Sequence, residues 1–200
     1  MEPIAPSMRV AELLDPDEIL KMEFAYARDT ALQANNDRTQ VVNLYLLIVG
    51  GVGSVLLGLP ALARGEGFEL PPLALGLVLV LVGVLGLFSV LKLIRLRSAW
   101  HESVLAMNRI KDFYLANYPE LAPAFRWRTE TIPPPGVLGT ITFDLVVLVA
   151  LIDSLAMGGG VFFARAPAPA AGGSALAFFA LQGGLYFRLL PRRRAGAEAS

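Results

Sequence analysis

Four long apolar runs constrain this chain more than any other feature of its sequence. They occupy residues 41–60, 73–94, 137–163 and 175–190. A hydrocarbon core about 30 Å thick is crossed by roughly 20 helical residues, and backbone groups inside it must bond to one another because no water is present. The runs therefore predict an all-α integral membrane protein with four transmembrane helices. The remaining segments are then 1–40, 61–72, 95–117, 118–136, 164–174 and 191–200.

Composition excludes several functional classes. Hydrophobic residues make up 55% of the chain and charged residues only 17%, whereas about a quarter is usual for soluble domains. The zero net charge argues against a nucleic-acid partner, which needs a basic face. The absence of cysteine excludes thiolate chemistry, and the single histidine, His101, disfavours a histidine-built metal or haem site. We therefore expect no metal and no cofactor, and we expect the lipid bilayer to be the chain's surroundings.

The distribution of basic residues predicts which side of the membrane each end of the predicted helices faces. Segments 1–40, 92–136 and 188–200 together carry 15 Lys and Arg residues, while the two other connections carry only Arg64 and Arg165. Since cytoplasmic loops are enriched in Lys and Arg, both termini are predicted to be cytoplasmic. Arg outnumbers Lys 14 to 3, which suggests a GC-rich bacterial source and hence a bacterial plasma membrane.

Proline spacing predicts two helices that are longer than a bilayer requires. No proline lies between Pro16 and Pro60, or between Pro72 and Pro119, so each stretch is compatible with one helix of about 70 Å. Asp15 before Pro16 is typical of a helix N-cap. By contrast, segment 118–136 contains five prolines and is predicted to be a largely irregular cytoplasmic connection.

The parts of these two helices outside the apolar runs are amphipathic and opposite in charge. Segment 16–40 has a net charge of −2 and segment 92–117 a net charge of +3. The first has a stripe of smaller residues and the second a stripe of large ones, so we predict that they pack as an antiparallel cytoplasmic stalk. In the alternative, helix one breaks near Asn35 and Asn36 and both arms lie on the headgroups. The two stripes are Leu20, Phe24, Ala27, Ala31 and Ala34, and Leu96, Trp100, Val104, Met107, Ile110 and Tyr114.

Small residues recur on one face of each of the first two predicted spans. They are Gly50, Ser54 and Gly58 in the first span, and Gly76 and Gly83 in the second. Such stripes allow helix backbones to approach closely in lipid. We expect them to pack these two spans against each other, with homo-oligomerisation through the Gly50 face as the alternative.

Asp144 and Asp153 are the acidic residues inside the predicted spans, and such residues are candidates for function. Nine residues separate them, which puts them half a turn and about 13 Å apart, too far for a carboxylate dyad. Asp144, with Thr140 one turn earlier, is either bonded within the protein or part of an ion or proton path. Asp153 approaches three glycines and is either solvated at the outer interface or part of that path. Gln182 is a plausible polar neighbour in the fourth span.

One short cluster in the proline-rich connection combines aromatic and basic side chains. It consists of Phe125, Arg126, Trp127 and Arg128. Docking on the chain itself, or placement at the lipid headgroups, is one interpretation. Docking of a partner protein is the other, because exposed aromatic and Arg residues dominate binding interfaces.

These features favour a non-catalytic membrane assembly protein, either a homo-oligomer or an accessory subunit bound to other membrane subunits. The alternative is an oligomeric channel or small proton-coupled transporter that uses Asp144. An enzyme is not predicted, because no nucleophile, base and orienting group recur at a catalytic spacing.

Overall fold

The computed structural model describes residues 15–62 and 71–190, without the side chains of 59–62. Predictions for the first 14 residues, for Arg64 and for the tail from residue 191 lie outside this part of the chain. The described residues form four α-helices: α1 (Pro16–Leu62), α2 (Pro72–Asn117), α3 (Ile141–Phe163) and α4 (Ala168–Leu189). Each of the four has a segment long and apolar enough to cross a membrane. The all-α class with four candidate spanning helices is confirmed.

The first two helices have 47 and 46 residues and extend far beyond the apolar runs. The side chain of Asp15 accepts a hydrogen bond from the Asp17 amide at 3.0 Å, so the predicted N-cap forms. Pro16 follows at the first helical position, where its missing N–H costs nothing. The helix α1 continues without interruption through Asn35 and Asn36.

The chain divides into two compact units, and both long helices contribute to each. Within the described residues, the first unit contains 15–34 and 99–133, and the second contains 35–62, 71–98 and 134–190.

In the first unit, the start of α1 meets the end of α2, so the two segments run antiparallel. The Tyr114 hydroxyl donates to Asp17 Oδ1 at 3.3 Å. Ala27 and Ala31 are buried, as the small-residue stripe predicts. The connection that follows α2 is not entirely irregular, because it contains two short 3-10 helices, Pro119–Ala124 and Thr129–Thr131.

The second unit has a hydrophobic core to which all four helices contribute, and two of its members are the fully buried tyrosines Tyr45 and Tyr186. Partly buried side chains such as Phe143 pack around this core, and the Phe143 and Tyr186 rings meet edge to face with centroids 5.5 Å apart. The buried core residues are Val42, Tyr45, Val90, Leu93, Ile94, Val146, Val149, Ala150, Tyr186 and Leu190.

A tight turn joins α3 to α4, and α4 starts at Ala168, well before the apolar run at 175–190. Arg165 has a φ of 66°, the left-handed conformation that ends many helices. The Arg165 amide bonds to the Phe162 carbonyl and the Ala166 amide to the Val161 carbonyl, which together form a Schellman motif. The fourth helix consequently has 22 residues, enough to span a bilayer, rather than the 16 of its apolar run.

Candidate functional site

A buried polar cluster lies inside the second unit, where the middle of α3 meets α4. The Gln182 amide nitrogen donates to Asp153 Oδ1 at 2.8 Å and lies 3.4 Å from Ser154 Oγ. Ser154 Oγ also lies 3.4 Å from Asp153 Oδ1. Asp153 and Gln182 are both 0% exposed. Asp153 is therefore buried by the chain itself, and the alternative in which it is solvated at the outer interface is wrong.

Three polar atoms in this region have no hydrogen-bond partner within the described chain. They are Asp153 Oδ2, Gln182 Oε1 and the Tyr45 hydroxyl, which belong to α3, α4 and α1. Tyr45 lies close enough to Asp153 to interact with it electrostatically. Buried polar groups in proteins nearly always form hydrogen bonds. Three unpartnered atoms from three helices in one region therefore mark a candidate functional site.

Gly86 places α2 against this cluster as well, so all four helices border it. A Cβ atom at position 86 would overlap both Cβ and Oδ2 of Asp153, far closer than atoms can approach. The Asp153 side chain thus occupies the space that a side chain on α2 would need. Only glycine allows α2 to pass this close to the carboxyl group.

Asp144 and Thr140, the other predicted members of the ion path, lie elsewhere. Asp144 is exposed in the first turn of α3, where its charge is favoured by the helix dipole. Thr140 is the N-cap of α3, and its hydroxyl accepts from the Phe143 amide at 3.2 Å. The Asp144 amide bonds to the Thr140 carbonyl at 3.0 Å. The structure therefore brings Gln182 to Asp153 but does not bring Asp144 or Thr140 into the buried cluster.

A second polar layer joins the helices of this unit near the start of α3. Arg38 Nη1 donates to Thr142 Oγ1 at 3.0 Å, and Thr142 is 0% exposed. Arg97, also buried, donates through Nε to the Pro135 carbonyl at 3.3 Å. From the sequence, both arginines entered only as charges, in the predicted orientation and in the net charges of their segments. Their position just beyond the ends of two apolar runs was the available signal, since a long side chain there can turn back into the bundle.

The two glycine stripes do not face each other, contrary to the expectation from sequence. Gly76 and Gly83 of α2 face α3. A Cβ atom added at Gly76 would lie 2.9 Å from the Gly160 carbonyl oxygen, and one added at Gly83 would lie 3.2 Å from the Asp153 carbonyl oxygen. At Gly50 and Gly58 of α1, a Cβ atom would have no other atom within 4 Å, apart from those of its own helix backbone and chain neighbours. Ser54 is exposed. One stripe therefore packs inside the unit and the other remains open.

The four residues of the aromatic and basic cluster, 125–128, lie in the first unit, where two contact the chain and two are exposed. Phe125 lines a groove of about 240 Å³ together with Phe24, Ile110 and residues around them. Arg128 Nη2 donates to the Ala122 carbonyl at 3.1 Å. These two residues dock on the chain itself.

The other two members of this cluster, Arg126 and Trp127, are exposed. Trp127 has 61% of its surface exposed. The Arg126 guanidinium carbon lies 5.8 Å from the Trp127 ring centroid, within the range of a cation–π contact.

Comparisons with protein-family models, with curated proteins and with solved structures find no match for this chain. Within residues 15–62 and 71–190, no three His, Asp or Glu side chains cluster closely enough to hold a metal ion.

Proposed function

We propose that this chain is a non-catalytic multi-pass membrane assembly protein, acting as a homo-oligomer or as an accessory subunit of a larger membrane complex. The observation that supports it most directly is the open face of α1 in the second unit. Only 11% of the most apolar segment of this helix is buried within the chain, compared with 39% for α3. A spanning helix with so few contacts of its own is available to a neighbouring helix or to lipid.

Small residues make this open face suitable for contact with another helix. Gly50 and Gly58 both have open space around the position of a Cβ atom, and Ser54, between them on the same face, is exposed. In lipid, helix association depends on close packing and not on the exclusion of water, so a face without side-chain bulk is favoured. Large apolar residues such as Leu47, 72% exposed, and Leu57, 84% exposed, flank it.

The proposal extends to orientation and to the cytoplasmic part of the protein. We propose that both termini face the cytoplasm of a bacterial cell, since 15 of 17 Lys and Arg residues lie in segments assigned to that side. The antiparallel first unit would then form the cytoplasmic stalk. Its exposed Trp127 and Arg126 would be the residues available to a partner subunit.

The test is the mass of the detergent-solubilised particle, measured by light scattering with correction for bound detergent. We expect more than one chain per particle for the wild type, or a defined complex with other membrane subunits. Gly50→Leu should reduce the particle to a single chain, because the side chain would block the close approach of a neighbouring helix.

Gly184→Leu on α4 is the matched control. Gly184 is also exposed, with no atom within 4 Å of its Cβ position, so it adds the same bulk at a site without an assigned role. A wild-type particle that contains one chain and no other subunit would contradict the proposal. So would equal loss of assembly in both variants.

A further inference from the structure

The contact between Asp153 and Gln182 is only half of the contact that these two groups can make. A carboxyl group and a carboxamide each have two polar atoms, and together they can form two hydrogen bonds. In the structure, Gln182 Nε2 donates to Asp153 Oδ1, while Asp153 Oδ2 and Gln182 Oε1 are buried without partners. The two atoms left over belong to the same pair of side chains.

These two atoms cannot pair with each other while the carboxyl group is ionised. An ionised carboxylate oxygen and an amide oxygen are both hydrogen-bond acceptors, so no bond can form between them. Rotating the Gln182 amide by half a turn does not help, because its oxygen would then face Oδ1, again an acceptor. A single proton on the carboxyl group removes the conflict in either orientation, because it converts one acceptor into a donor.

We propose that Asp153 is a buried proton-binding site, in which the neutral carboxyl group and the Gln182 amide form a two-bonded acid–amide pair between α3 and α4. Oδ1 accepts from Nε2, and the proton on Oδ2 donates to Oε1. This inference does not depend on assembly, because every residue in it belongs to one chain.

The surroundings of the carboxyl group favour its neutral form. Among the described residues, no Lys or Arg side chain forms an ion pair with Asp153. From α1 the titratable group that faces it is the Tyr45 hydroxyl, which is neutral and also unpartnered. The groups that face it from α2 and α4 are Gly86 and Gln182, neither of which carries a charge. An unpaired charge buried in an apolar bundle is costly, and groups in this position take up a proton instead.

The packing at Gly86 disfavours a metal ion in place of the proton. A Cβ atom at this position would already overlap Oδ2, so the backbone of α2 closes that side of the carboxyl group. A proton needs no additional space and only one acceptor, which in the proposed pair is Gln182 Oε1.

Infrared difference spectroscopy of the protein in liposomes at neutral pH tests this assignment. The wild-type spectrum minus that of Asp153→Asn should contain the C=O stretch of a protonated carboxyl group. The matched control is Asp144→Asn on the same helix, since Asp144 is exposed. Asp153 is present in both proteins of that comparison, so the band assigned to Asp153 should cancel in the difference spectrum. Carboxylate stretches in the Asp153 difference spectrum would overturn the proposal.

The stability of variants provides a second, independent readout. Asn at position 153 reproduces the hydrogen bonding of a protonated Asp, because its amide both accepts from and donates to Gln182. Asp153→Asn should therefore retain the wild-type unfolding midpoint in detergent, whereas Asp153→Ala, which cannot bond to Gln182, should lower it clearly. A large loss in Asp153→Asn, equal to that in Asp153→Ala, would contradict a neutral carboxyl group.

A third measurement uses the wild-type protein alone and separates a proton from a metal cation. Because Asp153 is 0% exposed, the readout is the infrared band of its carboxyl group and not a reaction with a reagent. The spectrum of the wild type in sodium chloride minus that in choline chloride should show no change in the C=O stretch of this group. Replacement of that band by carboxylate stretches in sodium chloride alone would show that a cation occupies the site and would overturn the assignment to a proton.

Discussion

At Gly86, the absence of a side chain determines how closely α2 can approach α3. The neighbouring atoms are Cβ, Cγ and Oδ2 of Asp153, all within 2.7 Å of where a Cβ atom would lie. The aspartate is itself held by Gln182 and cannot move away without losing that bond. A single methyl group at position 86 therefore conflicts with both helix packing and the buried polar pair.

Gly86→Ala should lower the free energy of unfolding by about 1 to 3 kcal/mol, the usual cost of overpacking a filled interior. Thermal unfolding of the detergent-solubilised protein measures it. The control is Gly184→Ala on α4, where nothing lies within 4 Å of the added methyl group. That variant should be as stable as the wild type or more stable, because Ala favours helix over Gly. Equal unfolding midpoints for Gly86→Ala and the wild type would show that α2 and α3 leave room for a methyl group at position 86.

The hydrogen bond between Arg38 and Thr142 is a second single contact, and its contribution to the free energy of unfolding can be measured. Thr142→Val keeps the shape of the side chain and removes the acceptor for Arg38 Nη1, whose Nε is already buried without a partner. We expect a loss of roughly 1.5 to 3 kcal/mol, the range for hydrogen bonds to charged groups. The same substitution at the exposed Thr39, whose hydroxyl bonds only within its own helix at 3.4 Å, should change the unfolding midpoint little.

At the scale of elements, the turn between α3 and α4 explains why the fourth helix is longer than its apolar run. Its early residues are small, and Ala171 packs against Gly158 of α3, where a Cβ atom would lie 3.0 Å from the Ala171 carbonyl. The low hydropathy of this stretch reflects alanine and glycine that permit close helix contact, rather than a loop. The helix start was therefore set by packing and by the Schellman turn, and not by hydrophobicity.

Arg165→Gly tests the turn itself. Arg165 adopts a left-handed conformation that costs a residue with a side chain roughly 1 to 2 kcal/mol and costs glycine little. The glycine variant should raise the unfolding midpoint. Arg165→Ala keeps the conformational cost, so it should produce no such increase. Equal effects of the two substitutions would mean that loss of the charge, and not relief of the backbone, is responsible.

At the scale of the whole molecule, the prediction concerns orientation in the membrane. The chain has no native cysteine, so a single introduced thiol can be labelled without background. Ala164→Cys, in the turn between α3 and α4, should react with a membrane-impermeant maleimide added to intact cells. Glu120→Cys, in the connection between α2 and α3, should react only after lysis. Both positions are exposed within the chain, so the comparison reports the side of the membrane. The reverse pattern would place the termini outside.

The sequence alone determined the helical class, the four candidate spans and the cap at the start of α1, because run length, proline position and capping chemistry act locally along the chain. It did not determine the faces of the helices. A helix that is apolar on all sides carries no signal for its rotation, so the sequence left open which aspartate is buried and which glycine stripe is covered. The tertiary structure decided both, since burial of Asp153 requires Gly86 and Gln182, which lie 67 positions before and 29 positions after it, to meet around one carboxyl group.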